Sequence, residues 1–359
     1  MIGKPAVNVY LPLQDFPNEG DVFTIKERIE SVGNISATAA CLLSSWKVPV
    51  HFTGVVGNDP QAEKIRNTFN DFKVNQKFVE INFEKPTSMN FITLNSKSGK
   101  ATKVVAMDNE NLLKKYKYDF IPELCIMDGT DSAGDTAFLN NNISIKSLFF
   151  ASVPNHETIT NAKRSSIVVC SQTFAEGITK TLLEDNVEAY IDFYQKIVDV
   201  SGNSNYIVIL NNHKILYSVD NKVKMLPEMK MNVVDSSSFN SVFFGAFAFC
   251  VVGGYDLDDS IKLANTAAAL SLVKIGEVNA IPKLDDVLDN CGLRDKLGLN
   301  TEYVAPAQPT AVAPLQADIQ MPQPTAAQPE MTQMPAQETN MFNHPAQPVE
   351  TNMFDNPNV

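Results

Sequence analysis

Residues 230–254 read KMNVVDSSSFNSVFFGAFAFCVVGG. Met231 to Val234 is an apolar run with the look of a strand, and Asp235 ends it. Ser236, Ser237 and Ser238 follow as a small polar turn, and an unbroken apolar helix is expected from about Ser241. A strand that turns abruptly into a buried helix aims the helix's unpaired N–H groups and its positive dipole end at one spot. Such a spot is an anion site in waiting.

In this register the stretch resembles the second signature of the ribokinase/PfkB family of sugar and nucleoside kinases, D-T-x-G-A-G-D-[AS]-F-x-x-G-x-F. Asp235, Ser236 and Phe243 fall on matching positions, and Gly245 (or its neighbour) and Phe247 lie beside the signature's later Gly and Phe. Ser238, Phe239 and Asn240 stand where the resemblance places the Gly-Ala-Gly of the phosphate-binding turn, and Ser241 stands at the catalytic aspartate. Glycines let consecutive N–H groups curl around a phosphate at positive φ, where a Cβ clashes. A serine hydroxyl does not accept a substrate proton near neutral pH as a carboxylate does, and a positioned general base is worth ~10²–10⁴ in rate. The expectation is a kinase fold whose kinase centre is disabled.

Other segments extend the resemblance over about Gly3 to Leu288. Val32-Gly33-Asn34-Ile35-Ser36-Ala37-Thr38-Ala39 is similar to the first signature, G-G-x-x-x-N-x-A, with Gly33 and Ala39 kept and Ala37 at the sugar-binding asparagine. A Gly beside an Asn before a helix is also ordinary turn chemistry. Val48 to Asp59 matches the family's G-x-V-G-x-D turn through Gly54, Gly57 and Asp59, and Leu263 to Leu270 matches its A-N-x-A-A-A helix. The implied ligand-cleft residues are Asn8, Gly33, Asn34, Asp235 and Asn265. Two further kinase parts are altered. Asn211-Asn212-His213-Lys214 lacks the glycines of the ATP-phosphate turn, and Ser171 to Glu176 departs from the N-x-x-E magnesium motif. ATP and magnesium are therefore expected only if a rebuilt centre works, and no metal ligands are assigned. Asp131-Ser132-Ala133-Gly134-Asp135 looks like a displaced copy of the catalytic motif, and an acid in a helix's first turn is its plainer reading.

Along the rest of the chain, strand-like apolar runs alternate with helical ones, the mark of a parallel sheet covered on both faces. With the resemblance, the expected fold is α/β: a ribokinase-like three-layer sandwich with a mainly parallel central sheet and a small β-sheet lid. The domain is placed at residues 1–300 and the lid at about 22–31 and 87–107. Ser96-Lys97-Ser98-Gly99 is the hairpin signal inside the lid. Because only Met1 and Ile2 precede Gly3, the first strand is expected to use Pro5 to Leu11 or to be short. Lids of relatives often pair between subunits, so a homodimer through the lid is expected.

The 359 residues carry a formal net charge of −12, which disfavours nucleic acid or an anionic membrane as partner. No signal peptide and no apolar run long enough to span a bilayer is apparent. Five scattered cysteines without CxxC spacing read as reduced core thiols of a cytoplasmic protein.

From about Tyr303 ten prolines alternate with Ala, Gln, Thr and Met, and no Lys or Arg follows Lys296. Residues 301–359 are thus expected to be a disordered tail unable to bury a core. Within it Glu338-Thr339-Asn340-Met341-Phe342 recurs as Glu350-Thr351-Asn352-Met353-Phe354. Met341, Phe342, Met353 and Phe354 are the apolar anchors a short peptide motif needs, and two copies on one tether raise apparent affinity. A catalytically inactive family member follows as the first expectation, working as a binding, sensing or scaffold protein. It would carry a small sugar-like ligand in the cleft and recruit an unknown protein partner through the tail. The alternatives are an active ATP-dependent sugar or nucleoside kinase with a rebuilt site, and a cytoplasmic structural or assembly protein.

Overall fold

The first strand of the central sheet is almost absent. Ile2 alone bridges Thr53 on one side and Met127 on the other, both in parallel. This single bridge joins the two halves of the sheet in a computed structural model that describes residues 1–106, 111–114 and 118–299. One half pairs β3 (His51–Gly57) with β4 (Asn75–Asn82), in parallel. The other half runs β12-β11-β10-β9-β8-β7. In it β7 (Leu124–Met127), β8 (Lys146–Ala151), β9 (Ile167–Ser171) and β10 (Tyr206–Ile209) are parallel. The hairpin β11 (Ile215–Val219) and β12 (Lys222–Leu226) closes that edge antiparallel.

Helices cover both faces, as the alternating pattern predicts. One core joins α1 (Ile35–Ser45), α2 (Pro60–Asp71), α7 (Phe239–Gly253), α8 (Leu257–Ser271) and α9 (Leu284–Cys291) to the sheet. The opposite core holds α3 (Ser132–Asn141), α4 (His156–Arg164), α5 (Gln172–Thr179) and α6 (Val187–Ser201). All five cysteines are buried and free.

α7 is buried over most of its length, from Phe239 to Cys250 except Asn240. It is apolar all round because α1 and α8 flank it, and Phe243 and Phe244 are fully buried. Each buried Phe contributes about 1.5–3 kcal/mol. Together with its preceding turn it spans Ser236–Gly253, which by length and composition would suffice to cross a bilayer. That differs from the expectation that no run is long enough. With 67% of the span buried inside the fold, it is a core helix.

The lid is a four-stranded sheet of order β2-β1-β5-β6. It consists of β1 (Ala6–Leu13), β2 (Ile29–Gly33), β5 (Ser88–Asn95) and β6 (Ala101–Ala106). The strand predicted over Pro5 to Leu11 therefore belongs to the lid, and Ile2 is what remains of the short alternative. Of the expected 22–31 segment only Ile29 onward is strand; residues 21–28 make no ladder. The hairpin at Ser96–Gly99 is present, while Met107 lies outside the described residues, as do residues 300–359 with the repeats. β4 was not anticipated.

Met231 to Val234 is not a strand. The amides of Val234 and Asp235 both donate to the Leu272 carbonyl at the end of α8, at 2.7 and 3.0 Å, rather than to a ladder. The lid hairpin docks on this segment. The Ser236 amide donates to the Gly99 carbonyl at 2.9 Å. Gly99 has φ +67, and a Cβ there would lie 2.6 Å from the Val233 carbonyl oxygen. Only glycine meets both demands.

Candidate active site

Asp235 ties two turns together. Its Oδ1 accepts the Ser237 amide at 2.9 Å and its Oδ2 the Gly276 amide at 3.0 Å. Burial raises its pKa, while the two amide bonds pull the other way. A 3₁₀ turn over Ser236–Ser238 follows, and α7 begins at Phe239, two residues before the predicted start.

This early start decides what the turn can hold. Ser238 and Phe239 have right-handed helical φ/ψ (−83, −17 and −53, −54) in place of the positive φ a phosphate nest requires. Ser238 Oγ lies 2.9 Å from Ser271 Oγ, and Ser241 Oγ donates to the Ser238 carbonyl at 3.0 Å. Both serines are buried, Ser238 turned toward the end of α8 and Ser241 back onto the start of α7. Phe239 is buried too, and its ring stacks on His213, centroids 4.2 Å apart and planes at 14°. His213 belongs to the turn that the resemblance assigns to ATP phosphates. Burial lowers its pKa, so the ring facing Phe239 is neutral near pH 7 and offers no charge to a phosphate. Lys214 is engaged elsewhere, 2.6 Å from Asp185 Oδ1 and 3.1 Å from the Tyr190 hydroxyl. Glu176 accepts from Gln172 Nε2 and the Leu183 amide, at 2.9 and 3.1 Å.

The other half of the cleft lies under the lid, where Asn8 and Asn34 meet around residues the sequence reading missed. Asn34 precedes α1 with φ +76 and does not cap it with its side chain. Its Nδ2 donates to the Lys4 carbonyl at 3.0 Å, and its Oδ1 accepts from Asn90 Nδ2 at 3.0 Å and Lys103 Nζ at 3.2 Å. Asn34 thus serves as a turn residue before α1 whose side chain also ties the lid to the body. Asn90 Nδ2 also reaches Asn8 Oδ1 at 2.7 Å, while its own Oδ1 has no hydrogen-bond partner among the described residues. Asn8 Nδ2 in turn donates to Glu277 Oε1 at 2.8 Å. Gly33 makes this possible: a Cβ there would sit 2.1 Å from Asn8 Nδ2 and 3.1 Å from the Glu277 carboxyl carbon.

Tyr10 links the two halves. Its oxygen accepts the Glu277 amide at 3.2 Å and lies 3.2 Å from Ser237 Oγ. Burial, then the nearby Glu277 and Asp235 carboxylates, raise its pKa well above the usual phenol value. It therefore stays a neutral phenol. Asn265 is buried in α8 and its Oδ1 has no partner among the described residues; no hydrogen bond joins it to this network. Among the described residues no group of three or more His, Cys, Asp or Glu is placed to hold a metal. An open groove lies elsewhere, along the start of α2 between Asp59, Arg66 and Asn70, and shares no residue with the cleft.

The displaced motif forms a separate buried group. Asp131 caps α3 through the Gly134 amide and accepts from the Leu113 amide. Asp128 accepts from the Ser36 and Thr130 amides. Asp135 accepts from the Gly129 amide and is fully buried. Burial first, then Asp128 and Asp131, push the Asp135 pKa well above the carboxylate range.

Comparison with known proteins agrees with this architecture. A model of the pfkB family carbohydrate kinases matches residues 33–121. The ribokinase of Lactococcus lactis subsp. lactis is 35% identical over 81 residues, which span 23% of this chain and 27% of that protein. The ribokinase of Staphylococcus aureus is 20% identical over 308 residues, 80% of this chain and 97% of that one. Over residues 33–121 the chain matches the ribokinase/PfkB family, and its fold is ribokinase-like. Solved members share the fold. The ribokinase of Cryptococcus neoformans in complex with ADP has a TM-score of 0.68 at 16% identity, over 80% of this chain and 98% of that one. The nucleoside kinase of Methanocaldococcus jannaschii has a TM-score of 0.66 at 14% identity, over 81% and 96%. The matched segment 33–121 takes in Gly33, Asn34 and lid strands β5 and β6.

A protonated, buried Asp135 has a pH signature. With its folded pKa above its unfolded one, its contribution is complete below about pH 4 and fades as pH rises toward the folded value. Asp135→Asn should therefore flatten the decline of stability between about pH 4.5 and 8 by up to about 1.4 kcal/mol per pH unit. Urea unfolding midpoints across that range measure it. Parallel pH profiles for the two proteins would contradict the assignment.

Proposed function

We propose that this PfkB-family protein is a non-catalytic carbohydrate-kinase homologue that works by binding, as a sensor or scaffold in the cytoplasm. One observation carries the reading. At the turn where a transferring phosphate would be held, the N-terminus of α7 is sealed by the Phe239–His213 stack, and Ser241 spends its hydroxyl on the Ser238 carbonyl. Removing an oxyanion-type donor costs ~10²–10³ in kcat, and removing a base ~10²–10⁴. Their joint loss leaves no route to ordinary turnover.

The relatives' names, ribokinase above all, favour a second reading: an ATP-dependent sugar or nucleoside kinase with a rebuilt centre. That reading needs another base. Asp235 is committed to two backbone amides, and Asp135 is buried with a raised pKa, so neither is a ready acceptor.

Partner binding falls to two other surfaces. The lid exposes Phe91 and Val104, cross-strand neighbours on β5 and β6; a second copy of the chain would cover them. The repeats at Met341–Phe342 and Met353–Phe354 would recruit a protein partner. A structural or assembly role would use the same two surfaces.

Purified full-length protein with magnesium–ATP and a panel of sugars and nucleosides should release no ADP above the blank. Ser241→Asp alone should not restore turnover, since the turn would still lack its nest. Substrate-dependent ADP release by either protein would overturn the reading. For the tail, substituting Met341, Phe342, Met353 and Phe354 by Ala should leave the unfolding transition unchanged and abolish capture of any partner found with the wild-type chain. Equal capture by both would remove the motif.

A further inference from the structure

Glu277 is a buried carboxylate held as a ligand would be held. Its side chain is 3% exposed. Oε1 accepts from Asn8 Nδ2 at 2.8 Å and lies 3.4 Å from Lys103 Nζ, and Oε2 accepts from Thr38 Oγ1 at 3.1 Å. The three donors come from lid strand β1, lid strand β6 and helix α1, far apart in sequence. Asn8 and Thr38 are fully buried, so neither side chain has water as an alternative. Gly33 leaves the space the carboxyl group fills. A cation with an amide N–H and a hydroxyl around one carboxylate is a receptor matched in charge and donors. The carboxylate is delivered by a two-residue step, because the preceding Gly276 amide is clamped on Asp235 and the Glu277 amide on Tyr10.

We propose that the space between the lid and α1 is a carboxylate-binding site, occupied in the free protein by the chain's own Glu277. The self-liganded side chain holds the lid against the body through Lys103. A neutral polyol entering the same space would have to displace a carboxylate and leave Lys103 without its counter-charge, so the site discriminates against neutral sugars. Emptied of Glu277, it takes a small free monocarboxylate of the formate or acetate class. This goes beyond the loss of phosphoryl transfer and is independent of it, since no donor in the site belongs to the turn before α7.

The test uses the full chain. Glu277→Ala should melt below wild type and recover at least half of the loss in sodium acetate or formate on the order of 100 mM, measured against sodium chloride at equal ionic strength. Wild type should show no carboxylate-specific shift. Glu277→Ala combined with Lys103→Met should lose the recovery. Equal responses of Glu277→Ala to acetate and chloride would overturn the proposal, as would a wild-type response to acetate matching the variant's. If Glu277→Ala does not fold, Glu277→Gln keeps the shape and removes the charge. Amides of Ala101–Ala106 should then exchange several-fold faster than in wild type, and unchanged exchange would equally overturn it.

Discussion

The Asp235 carboxylate is the hinge-pin of this cleft. By accepting the amides of Ser237 and Gly276 it fastens the turn that enters α7 to the turn that leaves α8. Both ends of the site inherit their geometry from that fastening. On one side the chain enters α7 already in helical dihedrals, which points Phe239 at His213 and folds Ser238 and Ser241 inward. On the other, Gly276 is held where the next side chain, Glu277, can only enter the space beneath the lid. One buried acid thus shapes the α7 end and the lid end of the same groove.

The two ends are filled in different ways. At the α7 end the filler is apolar and aromatic, a stack with a neutral imidazole. At the lid end it is polar: Asn8, Asn34, Asn90, Thr38 and Lys103 are joined to one another or to Glu277, with Asn90 Oδ1 left unpartnered among the described residues. A buried network of this kind is costly when broken, because each orphaned group then carries its full desolvation penalty. The lid hairpin, docked by Gly99 on the segment before Asp235, joins both fillers to one closed arrangement.

Much of the fold was legible because its rules are local. The expected alternation of strands with helices is realised as β7 to β12 and α3 to α9. The exceptions have physical causes. The Ala6–Leu13 strand reads identically whether it lies in the sheet or the lid, and only the single bridge at Ile2 decides. β4, Asn-Gln-Lys-Phe-Val-Glu-Ile-Asn, is an edge strand with polar alternation that carries little apolar signal. Met231 to Val234 has strand composition, yet its amides are captured by the end of α8. In the site, Ser241 and Phe239 were readable as departures from a motif. Glu277, Lys103, Tyr10 and Asn90 were not, since each is an ordinary residue in a turn or strand and becomes informative only when strands far apart in sequence converge. A Glu following a glycine at a helix end looks like a solvated turn; here that position is 2% exposed.

A crystal structure of the full chain grown with a non-hydrolysable ATP analogue, magnesium and ribose tests the closed, self-filled cleft most directly. Expected is Phe239 still stacked on His213 and Glu277 still on Asn8 and Thr38, with no analogue at the N-terminus of α7. Analogue phosphates bound there, with Phe239 swung off His213 and the lid lifted from Glu277, would contradict it.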